Sequence, residues 1–280
     1  MEEVLITCDN LSHVYSGGVV AVKEVNLKIK RGELIGVIGQ NGSGKTTLVK
    51  HFNGLLKPTY GKVIIKGEET TNKRVQELSR SVGYVFQNPN HQLFAKTVTA
   101  ELEFGPRNLG LSEEEVHERV EKAIEFFNLD TYRNQHPYRI SFPLRKLVGM
   151  ASIYTMRPDV FILDEPTTGQ DNITTRIVYQ LIRRLRDEGS TVICVAHDMI
   201  LLAEVVERMI VMRDSVLIAD TDPKTVFSDR KLMSSTHLYP PQITELSHRL
   251  KDKNFINTYA LSIDEMQKVT DQQLQVKRSK

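Results

Sequence analysis

The sequence predicts an α/β fold, with a parallel β-sheet core carrying helices on both faces, an antiparallel β subdomain, a helical subdomain and a small C-terminal domain. Three observations predict it. Leu34-Ile35-Gly36-Val37-Ile38, Val160-Phe161-Ile162-Leu163 and Val192-Ile193-Cys194-Val195 are continuous apolar runs, as in strands buried on both faces. Each is followed by a polar turn and a helical pattern, the order of a parallel sheet. Before them, Val25, Leu27 and Ile29 alternate with Asn26, Lys28 and Lys30, the period of a half-buried antiparallel strand.

The remaining elements follow in order. Residues from about 97 to 157 read as a helical insertion. Within it Ser112 and Glu115 make a capping box, and Val116, Val120, Ile124 and Phe127 follow at helical spacing. Thr221-Asp222-Pro223 reads as a further helix start. From about residue 230 the character changes, with Pro240-Pro241 and a Lys/Gln-rich end. The expected division is a main domain over 1–230 and a C-terminal dimerisation region over 231–280, whose last residues are expected to be mobile.

Composition narrows the function. A chain of 280 residues with 40% hydrophobic residues can bury one large core with appended subdomains. A net charge of +2 gives no field for nucleic acid, so none is expected as a partner. Cys8 and Cys194 stand far apart in no metal or redox spacing, and Cys194 reads as a reduced core residue. The first ten residues are acidic and lack the apolar stretch of a signal peptide. No apolar run approaches the roughly 18 residues of a membrane span. The chain is therefore expected in the cytosol, and at a membrane only from its aqueous side.

Gly39-Gln40-Asn41-Gly42-Ser43-Gly44-Lys45-Thr46 fits G-x-x-x-x-G-K-[ST]. It follows the strand ending at Ile38, and Thr46-Thr47-Leu48 can open a helix. Glycines let the backbone curl round phosphates so that N–H groups and a helix N-terminus face the charge. Lys45 suits the β- and γ-phosphates, and Thr46 suits Mg²⁺. Asn41, Gly42, Ser43, Gly44 and Thr47 complete the nucleotide cradle. Asp164 and Glu165, at the end of the Val160–Leu163 run, supply the second half. Asp164 can hold Mg²⁺, and Glu165 can polarise the attacking water.

From these motifs the chain resembles the ABC-transporter ATPase family, over about Leu5 to Asp229. The resemblance implies a P-loop NTPase cassette with a RecA-like sheet core, ATP and Mg²⁺ as ligands, and hydrolysis between two paired cassettes. It further implies that Tyr15 stacks on adenine. Gln87, after Tyr84-Val85-Phe86, links the Mg²⁺ site to the helical subdomain. Asp171, ending Thr168-Gly169-Gln170-Asp171, reaches across the dimer, and His197 contacts the γ-phosphate. Gln87-Asn88-Pro89-Asn90-His91-Gln92-Leu93-Phe94, then Glu103 to Gly110, and the tail Tyr239 to Leu246 are similar to the ATPases of energy-coupling-factor transporters, which take up vitamins and transition-metal ions. That similarity implies a transmembrane coupling subunit, a substrate-binding membrane subunit, and a peripheral position on the cytoplasmic face of the membrane.

One segment departs from the family. Where it carries Leu-Ser-Gly-Gly-Gln, this chain carries Ile140-Ser141-Phe142-Pro143-Leu144. Ser141 is retained, but Phe142 adds bulk and Pro143 has no N–H to give. In the family this segment caps the γ-phosphate held by the partner. The simplest reconciliation is a heterodimer with a paralogous cassette, with a homodimer using an altered signature left open. Two other readings stand beside transport. One is a soluble ABC ATPase unconnected with a membrane, against which a single cassette without sustained heptads counts. The other is a regulatory cassette that closes on ATP with little turnover.

Overall fold

The computed structural model describes residues 3–278. The chain begins with β1 (Val4–Val14) and β2 (Val20–Lys30), paired antiparallel, then β3 (Leu34–Gly39) and helix α1 (Lys45–Phe52). β4 (Tyr60–Ile65) and β5 (Glu68–Glu69) return to the first pair and give a sheet in the order β2-β1-β4-β5. α2 (Val75–Leu78) and β6 (Val82–Val85) lead into helices α3 (Val98–Asn108), α4 (Glu113–Phe126) and α5 (Phe142–Tyr154). β7 (Val160–Asp164), α6 (Asn172–Asp187), β8 (Thr191–Val195), α7 (Met199–Val205), β9 (Arg208–Arg213) and β10 (Val216–Thr221) complete the core. The chain ends in α8 (Pro223–Ser228), α9 (Arg230–Ser235), α10 (Gln242–Asp252) and α11 (Ile263–Arg278). The tail expected to be mobile includes residues 279 and 280, which lie outside the described residues.

The second sheet has the order β10-β9-β3-β8-β7-β6, parallel except for β10 at its edge. The continuous apolar runs are explained by its two covered faces. Leu34, Ile38, Phe161, Leu163, Val192 and Cys194 point to a core shared with the helices α3 to α7. Their neighbours Ile35, Val37, Val160, Ile162, Ile193 and Val195 point to the other core, shared with α1 and the antiparallel sheet. Successive side chains leave opposite faces of a strand, so a strand covered twice has no polar face. Cys8 and Cys194 are free and buried in these cores, and burial pushes both thiols up, Cys8 to about 12.

The expected helix starts are built as read. Ser112 Oγ accepts from Glu115 N and the Glu115 carboxylate accepts from Ser112 N, while Val116, Val120, Ile124 and Phe127 are buried. Asp222 caps α8, its carboxylate accepting from Thr225 N at 2.9 Å. Beyond α9, Ile256, Ala260 and Met266 form a small apolar cluster of their own. Thr244 donates to Ala260 O, and Ser247 accepts from Ala260 N, joining α10 to the segment before α11.

The carboxyl ends of the parallel strands share one edge. Asp164 is in register with Val195, as is Val37. The loops after β3, β8, β7 and β6 therefore emerge side by side, in the crevice where open α/β sheets bind ligands.

Candidate nucleotide site

The loop between β3 and α1 is shaped by glycines that no other residue can replace. Gly39 has φ +150°, and a Cβ there would stand 2.2 Å from Met212 O. Gly44 has φ +99°, and its Cβ would stand 2.1 Å from Ala21 O. The loop thus curls tightly into the N-terminus of α1, the arrangement that holds anions by backbone N–H groups and helix dipole. Lys45 is buried at the first position of α1 and its Nζ donates to Gly39 O at 2.7 Å and Gln40 O at 3.0 Å. Burial lowers its pKa, opposed by the nearby Glu165 and Asp164 carboxylates. Ser43 Oγ is buried without a hydrogen-bond partner, a polar atom facing a site built for a polar ligand.

Thr46, also on α1, points its hydroxyl at Asp164, donating at 3.2 Å to Oδ1 and 3.3 Å to Oδ2. The same carboxylate accepts from Tyr84 OH at 2.6 Å. One hydroxyl and one carboxylate are a fitting but incomplete set for Mg²⁺, which takes few protein ligands and completes its shell with phosphate and water. Among the described residues no group of three or more His, Cys, Asp or Glu side chains is arranged to hold a metal ion.

Glu165 follows Asp164 in a left-handed backbone conformation, φ +52°, uncommon for a residue with a side chain. Its N–H donates to Val195 O at 2.8 Å. Oε2 accepts from Thr168 Oγ1 at 3.0 Å, and Oε1 lies 3.4 Å from His197 Nε2. His197 itself is partly open to solvent. A carboxylate and an imidazole therefore meet at the mouth of the same cleft as the Gly-rich loop. That cleft, of about 500 Å³, is lined by Tyr15, Asn41 to Thr47, Gln87, Glu165, Thr168 and His197, with Val19 to Ala21 at one side.

Tyr15 is half-exposed at the rim and pairs with Thr47, their hydroxyl oxygens 3.1 Å apart. Its ring meets His13 edge-on at 4.6 Å, and His13 meets His51 at 4.8 Å. His51 Nδ1 lies 2.7 Å from Thr47 O, an acceptor only, so this nitrogen donates, while His13 Nδ1 lies 3.1 Å from both His51 Nε2 and Lys57 O. Gln87 is exposed on the loop after β6. The loop is anchored by Gln92, whose Oε1 accepts from Phe86 N and whose Nε2 donates to Gly149 O on α5.

Two expected site residues lie outside the cleft in the single chain. Ser141 caps α5 without a side-chain hydrogen bond and is exposed. Phe142 and Pro143 occupy the first turn, so Phe142 and Leu144 carry N–H groups there and Pro143 has none. Asp171 caps α6, its Oδ1 accepting from Ile173 N, Thr174 N and Thr174 Oγ1.

Sequence reasoning missed Tyr84 and Lys146. Tyr84 lies on a strand whose alternation is that of any core residue, and only the sheet brings its hydroxyl to Asp164. Lys146 is buried on α5 and donates to the main-chain oxygens of Glu165 and of Thr168, the latter at 2.9 Å. Burial lowers its pKa to about 8, opposed by Glu165 and Asp164. A lysine amid the apolar residues of α5 was the only available signal for it.

The ABC transporter family model matches residues 22–168. The chain is 43% identical over 264 residues to a putative ABC transporter ATP-binding protein of Caldanaerobacter subterraneus, covering 94% of this chain and 45% of that protein; it spans about half of that relative's length. It is 39% identical over 263 residues to the energy-coupling factor transporter ATP-binding protein EcfA of Methanothermobacter thermautotrophicus, covering 93% of this chain and 85% of that one. Among solved structures, cbiO1 of Clostridium perfringens, part of the ABC transporter complex cbiONQ, matches with a TM-score of 0.73 and 33% identity, covering 88% of this chain and 100% of that one.

Proposed function

The chain belongs to the ABC transporter family as an ATP-hydrolysing cassette of the energy-coupling-factor type, and we propose that it is one half of an ATPase pair that powers uptake of a vitamin or a transition-metal ion. One observation carries the reading of the site. The Gly-rich loop, the Thr46–Asp164 pair and the Glu165–His197 pair converge on one cleft at the sheet edge. In this reading Tyr15 stacks on adenine, and the loop from Gly39 to Thr46 holds the phosphates. Thr46, Asp164 and Gln87 would hold Mg²⁺, which would supply neutralisation of the phosphate charge. Glu165 orients a water in line with the γ-phosphorus and takes up its proton. The new P–O bond forms as the bond to the β-phosphate bridging oxygen breaks, releasing ADP and phosphate. Lys45 stabilises the charge on the transferred group, and His197 holds Glu165 and the γ-phosphate in register.

We further propose that the second cassette is a paralogue. Its signature would cap the nucleotide on Lys45, while Asp171 of this chain would reach across the pair. The two cassettes would sit peripherally on the cytoplasmic face of a membrane, on a transmembrane coupling subunit serving a separate substrate-binding subunit. Several relatives named as energy-coupling factor transporter ATP-binding proteins support the membrane partnership. Phe142 and Pro143 favour a second reading, a cassette that closes on ATP with little turnover. Solubilising membranes, identifying the subunits that co-purify with this chain, and measuring ATP turnover of that complex tests both. Turnover that stops with Glu165→Gln supports transport-coupled hydrolysis. A complex that binds ATP without turning it over supports the second reading.

A further inference from the structure

Lys146 is the buried ion that the reading of the site above leaves without a role. It lies on α5 with 1% of its surface exposed, among Leu147, Val148 and Met150. Taking an ammonium out of water is costly unless it is hydrogen-bonded, and a methionine would fill the same space at lower cost. Both acceptors of its Nζ belong to one short turn. They are the main-chain oxygens of Glu165 and Thr168, and Thr168 N also donates to Glu165 O, at 3.3 Å.

That turn is where the chain needs bracing. Glu165 has φ +52°, and such a conformation persists only where its surroundings over-determine it. Val195 O holds the peptide from the N–H side. Lys146 holds it from the carbonyl side and also fixes Thr168, whose hydroxyl donates to the Glu165 carboxylate. The lysine therefore acts on the carboxylate at two points, through its peptide and through its hydrogen-bond donor. Lys146 itself does not line the cleft, whereas Glu165 and Thr168, whose carbonyls it holds, do.

We propose that Lys146 is a positioning residue for hydrolysis, holding the Glu165–Thr168 turn so that the Glu165 carboxylate stays aimed at the attacking water. The inference rests on the reading of Glu165 as the group that orients water. Its consequence is a kinetic signature. Misplacement of a catalytic group by a fraction of an ångström lowers the chemical step while ground-state binding by the Gly-rich loop is untouched.

The test uses the full chain in its assembled complex with MgATP and compares Lys146→Met, Lys146→Gln, Glu165→Gln and the Lys146→Met/Glu165→Gln double variant. The expected result for Lys146→Met is a kcat lower by about 10- to 100-fold, with KM within about twofold of wild type and no fall in Tm. Lys146→Gln, which keeps a donor on a shorter stem, should recover part of the loss. In the Glu165→Gln background Lys146→Met should add no more than about a twofold loss, because the group it positions is gone. Wild-type kcat in Lys146→Met alongside an inactive Glu165→Gln would overturn the positioning role and leave the assignment of Glu165 standing. Multiplicative losses in the double variant would assign Lys146 to general structure and overturn the proposal. Wild-type kcat in Glu165→Gln would overturn the assignment of Glu165 itself. Should Lys146→Met fail to fold, Lys146→Gln with and without Glu165→Gln carries the same comparison.

Discussion

Lys45, at the start of α1, and Glu165, just after β7, face one cleft, and their substitutions separate binding from chemistry. Lys45 is held by Gly39 O and Gln40 O at the mouth of α1, so its charge is set in place before any ligand arrives. Lys45→Ala should lower kcat/KM by about 10²-fold or more and weaken ATP binding, as loss of a fixed donor to transferring phosphate does. Turnover of the assembled complex and a nucleotide titration check both effects. Glu165→Gln preserves shape and removes the charge. It should lower turnover by about 10²-fold or more while ATP still binds, because positioned base catalysis has that worth. An unchanged turnover number would remove Glu165 from its role. His51 has a different consequence. It is fully buried, and desolvation lowers its pKa from 6.5 to about 4. Below pH 6.5 the unfolded chain takes up a proton that the folded chain refuses, so this stability is intact above about 6.5 and drains away as pH falls towards 4. The loss amounts to roughly 3 kcal/mol at most. Thermal melts across that window should show a shallower acid slope in His51→Gln than in wild type.

At the scale of elements, the loop from Asn88 to Ala95 is tied to its surroundings from several sides. Gln92 bonds β6 to α5, and the buried Glu101 carboxylate on α3 accepts from Phe94 N at 2.9 Å and Ala95 N at 2.7 Å. Tyr138 OH donates to Asn90 O or Leu93 O, 3.2 Å from each. Leu93 and Phe94 are adjacent apolar residues in an otherwise polar loop, and the structure separates them. Leu93 belongs to the core, whereas Phe94 is 61% exposed and meets Phe104 edge-on at 4.7 Å. These rings sit beside a groove of about 560 Å³ running between α2, α3 and α5. A groove of this kind suits the apolar face of a short helix. Phe94→Glu should therefore weaken capture by the co-purifying membrane subunit and leave ATP binding unchanged. Leu93→Glu should lower the thermal stability of the isolated chain, since it buries an unpaired charge. Equal capture of Phe94→Glu and wild type in pull-downs would move the contact elsewhere.

The pairing of cassettes belongs to the scale of the whole molecule. Two cassettes joined head to tail make two sites, each with one chain's Gly-rich loop and the other's signature. This chain offers a full phosphate loop, but its α5 opens with Phe142 and Pro143. The Phe142 ring leans on Gly169, where a Cβ would stand 3.1 Å from its edge, so it packs against the turn that carries Glu165. With the proposed paralogue supplying an ordinary signature, the working unit should be asymmetric, with one strong site and one weak. Substituting glycine at both Phe142 and Pro143 should raise turnover only modestly, whereas Glu165→Gln abolishes nearly all of it. Mass determination of the purified complex and a count of nucleotides per dimer check this. A fully active homodimer with two equivalent nucleotides would refute the asymmetry.

The sequence by itself determined the strand runs, the Gly-rich loop, the acid pair, the α4 capping box and the resemblance that names the family. Each is written in contiguous residues, where periodicity, steric freedom or a local hydrogen bond decides the outcome. Only the tertiary structure decided that Tyr84 and Thr46 meet at Asp164, that Lys146 holds the Glu165 turn, and that Leu93 is core and Phe94 surface. The first joins residues 80 and 118 positions apart in the chain, and the second buries a charge in an apolar helix face. Such contacts depend on which strands lie side by side and which helix face is covered, and no local pattern of residues encodes either.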